Sequence, residues 1–462
     1  MLDFSKIGKT TFVYNILYDY VGIVFRFIYY RKFQVAGRRN LPRKSRGSDG
    51  FVVICNHQNG LLDALGIICA VAPYKPVFIA RGDIFRKESV GRMLRMLRIL
   101  PAFRQREGEA ENLDKNHIVF QYAVNVLREG GVVALFPEAG HQNRHFLGTF
   151  KKGFARIAFE YAEACNFQKD VKILPMGHYY SGYFGMQQDL LMNIGEPINI
   201  ADLYDTYKES PERARHLLNI RARERVESLM LNIEEVDNYD AVEQLCEMYV
   251  PVYKKKKGIK NWRLKHHLAA KRQLNNALKR TGYGKDGSAE GDAAADLISK
   301  GARYVANLKQ LRLDDRVVEH ANVGGFIART LLWIVMLPLF IASAAINAIP
   351  LGIGARISSK AKDKMLVPSF RLGVGLISFL VWYLLLFAAV WIVFKKFWIA
   401  LLALLVLPLT LLLDHNAKAL GSKLMNRIRK LRLQARRDPL YAETVALRRD
   451  IMSSLIESMR ND

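Results

Sequence analysis

The sequence predicts an α/β fold: a mixed sheet flanked by helices, followed by a helical basic region and C-terminal membrane helices. Three observations predict it. Short apolar runs alternate with helix-period stretches between residues 51 and 199, the pattern of a sheet with helices on its faces. Two long apolar blocks, 326–349 and 372–413, follow late in the chain. The formal net charge is +26, with 69 Lys and Arg against 43 Asp and Glu, which calls for an anionic partner.

In order, residues 1–36 form an N-terminal interfacial segment. Its stretch 12–30 is aromatic-rich, is interrupted by Asp19 and Arg26, and is barely long enough to span a bilayer. It lacks the shape of a signal peptide, because Asp3 comes early and no small-residue cleavage site follows an apolar region. A short strand and turn is expected over 34–42. Residues 37–200 form the α/β domain. Strands are expected at 51–55, 77–80, 99–103, 132–136 and 171–176, with helices after Asn59-Gly60 and over 90–97, 116–128 and 153–165.

Residues 201–325 read as helical and basic, with a Gly/Asp-rich linker near 282–292. Within this region, 254–280 contains a run of four lysines and no acidic residue. In 326–413, Pro338 bends the first block into a re-entrant segment at 326–349, and Lys395-Lys396 turns the second into a helical hairpin at 372–413. The stretch 356–371 and the tail 414–462 are basic, so both prefer the cytoplasmic side of the inner membrane. The four cysteines sit in apolar or helical contexts without metal-ligand spacing and read as reduced.

Three classes of function are open to such a chain. A nucleic-acid binder would use the charge, but no binding module accompanies it. With apolar blocks in the same chain, anionic lipid headgroups are the nearer partner, at about 1 kcal/mol per basic residue. A membrane scaffold would need no polar loops gathered at strand ends, and an enzyme would. Asn56-His57, Arg104 and Glu138 each follow a strand, and chemistry in α/β sheets gathers beyond the strands' carboxyl ends. His57 can take a proton from a hydroxyl, with Asp63 orienting the ring. Five residues separate them, so a regular helix would set the two side chains about 120° apart. The Asn59-Gly60 turn is needed to bring Asp63 back. Arg104 can hold a phosphate, and Glu138 can bind hydroxyls or brace basic groups. His141 and His145 have no third metal ligand in sight, and no Gly-x-Ser-x-Gly elbow occurs.

The ordered blocks NHQNGLLD, ILPAFR, FPEAGH and ILPMG resemble those of the phospholipid/glycerol acyltransferase family, over about residues 37–197. The resemblance is closest to a bacterial branch with five residues between His and Asp and a hydrophobic C-terminal extension. It implies direct transfer of an acyl group from a thioester, on coenzyme A or acyl carrier protein, to glycerol-3-phosphate or lysophosphatidate. Neither a metal nor a resident cofactor is implied. His57 takes the place of the general base and Asp63 that of its partner. Asn56, Asn59, Gly60, Arg104, Glu138, Ala139, Gly140 and Pro175 fall at substrate-binding places, with backbone N–H groups after His57 facing the oxyanion. Ala139 stands where the family usually has Gly, and Arg144 is the nearest substitute for an arginine expected after the third block. Another lysolipid or an amino-acid lipid is an alternative acceptor, and a non-catalytic polyanion binder the alternative class.

Overall fold

The computed structural model describes residues 7–43, 49–103, 110–138, 140–319, 323–361 and 364–458. The chain divides into two compact units. The first holds the described residues up to Leu231 together with 364–369, and the second holds the remainder.

The first unit is built on a seven-stranded sheet: β1 (Lys32–Ala36), β2 (Phe51–Cys55), β3 (Val77–Arg81), β4 (Ile99–Ala102), β5 (Val132–Leu135), β6 (Lys172–Tyr180) and β7 (Asp189–Ile194). Their order is β1-β7-β6-β2-β5-β3-β4. From β6 to β4 every pairing is parallel; β7 runs antiparallel to β6, and β1 lies parallel to β7. The expected mixed sheet is therefore observed. Every residue of β2 and β5 is buried, the state that makes central parallel strands read as continuous apolar runs.

Two differences arise at the sheet's antiparallel side. Strand β6 runs past the expected end at Met176 to Tyr180, and β7 carries no element in the sequence reading. Gly177-His178 looks like a break in an apolar run, but His178 is wholly buried and Met176 to Tyr180 pair with β7. The expected strand near 34–42 lies earlier, at Lys32–Ala36, where it takes its register from β7.

Helices α1 (Phe12–Ile23), α2 (Leu61–Ala70), α3 (Glu88–Met96), α4 (Ala110–Arg128), α5 (Gly153–Ala164), α6 (Tyr204–Glu209) and α7 (Pro211–Glu227) surround the sheet. Val52, Ile54 and Val133 share one apolar core with Val119 and Leu127 of α4, Phe154 and Ile157 of α5, and Leu218 and Val226 of α7. That shared core carries the unit past the expected boundary at residue 200. Helix α1 continues as a π-helical turn, Val24–Tyr29. It is pinned to the end of α2 by Tyr18, whose hydroxyl is 3.1 Å from the carbonyls of Ile68 and Tyr74, and by Arg26 on the carbonyl of Cys69 at 2.8 Å. Phe12, Ile16, Ile23 and Phe27 stay exposed.

The second unit comprises α8 (Tyr239–Lys257), α9 (Leu264–Arg280), α10 (Ala289–Leu311), α11 (Asp315–Glu319), α12 (Val323–Val335), α13 (Leu337–Ser358), most of α14 (Val367–Phe394), α15 (Phe397–Ala435) and α16 (Pro439–Ser458). The basic stretch 254–280 is not uniformly outward-facing, since Lys271 is buried against Glu247. Among the described residues three helices are long and apolar enough to cross a membrane: Leu337–Ser358, Lys364–Phe394 and Phe397–Ala435. The chain breaks at Met336, beside Pro338 as expected, but α13 then runs through Pro350 to Ser358, because small and apolar residues continue beyond that proline. Lys395, at φ 51°, makes the expected turn between α14 and α15. Polar groups on these helices satisfy one another. The Tyr383 hydroxyl donates to Asn347 Oδ1 at 2.9 Å, Asn347 Nδ2 to Thr410 Oγ1 at 3.0 Å, and Trp382 Nε1 to the carbonyl of Ile346 at 2.8 Å.

Candidate active site

Strand β2 ends at Cys55, and the chain turns through Asn56–Gly60 into α2. Gly60 adopts φ 54°, ψ −121°, a conformation open to glycine and strained for other residues. This turn folds the first helical residues back over the strand end and solves the spacing problem. His57 Nδ1 lies 2.8 Å from Asp63 Oδ2. The same oxygen accepts the backbone N–H groups of Gln58 and Asn59, each at 2.7 Å. A carboxylate in the first turn that reaches back to preceding N–H donors is the arrangement helix starts favour.

Asp63 is completely buried, whereas the His57 side chain is 17% exposed. Burial alone would raise the Asp63 pKa, but His178 and His57 oppose it through charge and hydrogen bonding and hold the carboxyl well below the usual range. Asp63 is thus an anion, and an ionised carboxylate only accepts. The proton therefore sits on Nδ1 of His57, leaving Nε2 as the basic nitrogen. The ring stacks on Phe136 with centroids 4.1 Å apart and planes at 12°, which fixes its orientation.

The other carboxylate oxygen shows two groups that sequence reasoning missed. Tyr180 donates its hydroxyl to Asp63 Oδ1 at 2.6 Å, and His178 Nε2 lies 3.1 Å from it. His178 Nδ1 is 3.2 Å from Cys55 Sγ. Burial pushes the Cys55 thiol up, and its Sγ also lies 3.6 Å from Asn56 Oδ1. The Asp63 anion 3.1 Å from His178 Nε2 only accepts, so that nitrogen carries a proton. The signal was present: the fourth block continues directly into His-Tyr-Tyr.

Glu138 follows β5, the neighbour of β2, so the strand-end argument brings it to His57. Its role differs from the expected contact with substrate. One oxygen accepts the backbone N–H of His57 and the other that of Gly148, both at 2.6 Å. Glu138 therefore clamps two backbone segments. Burial raises its pKa to about 7 against the pull of those donors. The folded state then binds this proton more tightly than the unfolded chain does, so the associated stability is complete below the ordinary value of 4.5 and lost as pH rises through about 7. Glu138→Gln cannot ionise. Wild type is expected to lose thermal stability relative to this variant between pH 5 and pH 8, measured by Tm across that range.

The remaining expected residues separate. Asn56 is buried, with Oδ1 accepting the N–H of His178 at 2.9 Å, and so ties β2 to β6. Asn59 Nδ2 donates to the carbonyl of Tyr183 at 3.1 Å. Both asparagines hold the turn, which places them behind the site. Pro175 is buried within β6, opposite Ile54 of β2, with its carbonyl accepting from Gly195 at 2.9 Å. Gly140 and Arg144 are exposed on the loop after β5. Arg104 and Ala139 lie outside the described residues. Of the backbone N–H groups after His57, from which oxyanion stabilisation is expected, those of Gln58 and Asn59 are engaged by Asp63.

Fold and site together define the class: an α/β enzyme domain with a histidine–aspartate pair at the carboxyl edge of its sheet. A family model described as "Acyltransferase" matches residues 32–179. Residues 32–179 accordingly carry an acyltransferase domain. The chain is 26% identical over 125 residues to the 1-acyl-sn-glycerol-3-phosphate acyltransferase of Bacillus subtilis (strain 168), a match covering 27% of this chain and 55% of that protein. It is 28% identical over 144 residues to glycerol-3-phosphate O-acyltransferase 2 of Saccharomyces cerevisiae (strain ATCC 204508 / S288c), covering 31% of this chain and 19% of the yeast protein. Both matches leave a large part of the relative uncovered. Among solved structures, the 1-acyl-sn-glycerophosphate (LPA) acyltransferase PlsC from Thermotoga maritima aligns with a TM-score of 0.33 and 19% identity, over 48% of this chain and 83% of that one.

Proposed function

We propose that the protein is a membrane-bound O-acyltransferase that moves a fatty acyl group from an acyl thioester, on coenzyme A or acyl carrier protein, to a hydroxyl of lysophosphatidate or glycerol-3-phosphate. The observation that carries this reading is the partly exposed His57 held at 2.8 Å by a buried Asp63 anion within an acyltransferase domain. Nε2 of His57 takes the acceptor hydroxyl proton as the oxygen attacks the thioester carbonyl. The tetrahedral intermediate collapses with cleavage of the carbon–sulfur bond, and the departing thiolate takes the proton back from the imidazolium. Asp63 stabilises that imidazolium in the interim. Arg104 is assigned to the acceptor phosphate, on the family resemblance of its block.

The three apolar helices supply the anchor, with basic residues on the cytoplasmic face of the inner membrane. Residues 364–369 belong to the same unit as the site. This supports a topology in which the loop ahead of α14 shares the site's side of the bilayer and α12–α13 make no net crossing.

Purified protein in lipid nanodiscs, given acyl-CoA and acyl-carrier-protein donors with a panel of acceptors, tests the proposal. Thiol release is expected with lysophosphatidate or glycerol-3-phosphate, and Arg104→Ala is expected to raise KM for these phosphate acceptors. Turnover confined to uncharged or amino-acid lysolipids would move the function to those acceptors. Absence of acyl transfer, together with salt-sensitive polyanion binding, would favour the non-catalytic class.

A further inference from the structure

The first turn of α2 carries the N–H groups that any helix start leaves without intrahelical partners. In most helices a Ser, Thr, Asp or Asn at the N-cap takes one of them. Here the N-cap is Gly60, which has no side chain to offer. Asp63, the acid of the first turn, is already committed to His57, Gln58 and Asn59. Leu62 N–H finds the carbonyl of Asn59 at 3.1 Å. Leu61 N–H finds none of these.

Its partner comes from 308 residues away. Leu61 N donates to Ser369 Oγ at 3.0 Å, and Ser369 Oγ reaches back to the carbonyl of Asn59 at 3.4 Å. The hydroxyl thus bridges the two sides of Gly60. A Cβ placed on Gly60 would lie 2.7 Å from Ser369 Oγ and 3.6 Å from Leu366 Cδ2, so the segment is fitted closely to the turn. Ser369 and Leu366 belong to the same compact unit as the sheet, although they lie far outside residues 32–179.

We propose that Ser369 is a positioning residue of the acyltransferase site. It supplies from the C-terminal extension the helix cap that Asp63 cannot provide while it holds His57. The catalytic unit is then complete only with residues 364–369 in place. Loss of this cap lets the Asn59–Leu61 turn relax and Asp63 drift from His57. It leaves acceptor binding unaltered, because the hydrogen bonds of the Ser369 hydroxyl go to the backbone of the turn. This inference rests on the acyltransferase reading, and its test separates the two.

The full-length Ser369→Ala and Ser369→Thr proteins are compared with wild type in nanodiscs, by steady-state kinetics and by amide exchange of the peptide spanning Leu61. Ser369→Ala is expected to lower kcat about fivefold at unchanged acceptor KM, as loss of one cap implies, and to speed exchange in that peptide. Ser369→Thr, which keeps the hydroxyl, is expected to restore both. A Ser369→Ala protein with wild-type kcat, or with wild-type exchange at Leu61, overturns the proposal, as does an equal loss in the alanine and threonine variants. Wild-type protein inactive on every acceptor removes the acyltransferase reading itself, and this inference with it.

Discussion

His57→Ala is expected to lower kcat for thioester-dependent acyl transfer by about 10³- to 10⁴-fold, the upper range for loss of a positioned general base. The imidazole lies between Phe136 and Asp63, with its Nε2 edge left to meet an acceptor. Among the described residues no other histidine is paired with Asp63 from an exposed position, since His178 is wholly buried. His141 stands near, its ring centroid 5.2 Å from that of His57, but the Asp63 carboxylate is turned to His57. The fold should survive, because the His57 contact with Glu138 is made by the backbone N–H, which alanine keeps. Single-turnover kinetics with unchanged thermal melting would show a chemical effect rather than a folding one.

Asp63→Asn is expected to cost on the order of 10²- to 10³-fold in kcat, less than loss of the base because the imidazole remains. The three donors at Oδ2, from His57, Gln58 and Asn59, require an oxygen there, so the introduced amide nitrogen must face Tyr180 and His178. The Tyr180 hydroxyl can turn to accept from it. The Nε2–H of His178, 3.1 Å from Asp63 Oδ1, donates and cannot accept. A buried donor facing a donor costs about 1–3 kcal/mol, so a lower Tm accompanies the kinetic loss. The larger consequence is electrostatic: the imidazolium formed during transfer loses the buried anion beside it. Acceptor KM is expected to change little, which separates this effect from loss of binding.

Much of the sheet was legible because buried parallel strands are short continuous apolar runs. Phe51–Cys55 is legible to the residue, and β3, β4 and β5 within one or two. The antiparallel side was not legible. In strand β7 the polar Asp189 and Asn193 leave only Leu190–Met192 as a continuous apolar run, and His178 disguises the continuation of β6 until Asp63 and Asn56 explain a buried imidazole there. The pairing of His57 with Asp63 was readable, including the need for a special turn at Asn59-Gly60, since a helix offers only fixed side-chain angles. The detailed roles of Asn56, Asn59 and Glu138 were not. Side-chain chemistry suits these residues equally to substrate and to backbone, and only geometry shows that backbone groups already occupy them. Ser369 was beyond reach for another reason. A contact across 308 residues leaves no local pattern.

The central claim is that His57 and Asp63 act as one unit in moving the proton from the acyl acceptor's hydroxyl to the departing thiolate. The most direct test is thiol release from acyl-CoA with lysophosphatidate by wild type, His57→Ala, Asp63→Asn and the double variant. The account predicts that the double variant is no slower than His57→Ala, because Asp63 has no catalytic work once the imidazole is gone. Losses that multiply in the double variant, or a His57→Ala protein that releases thiol at the wild-type rate, would contradict it.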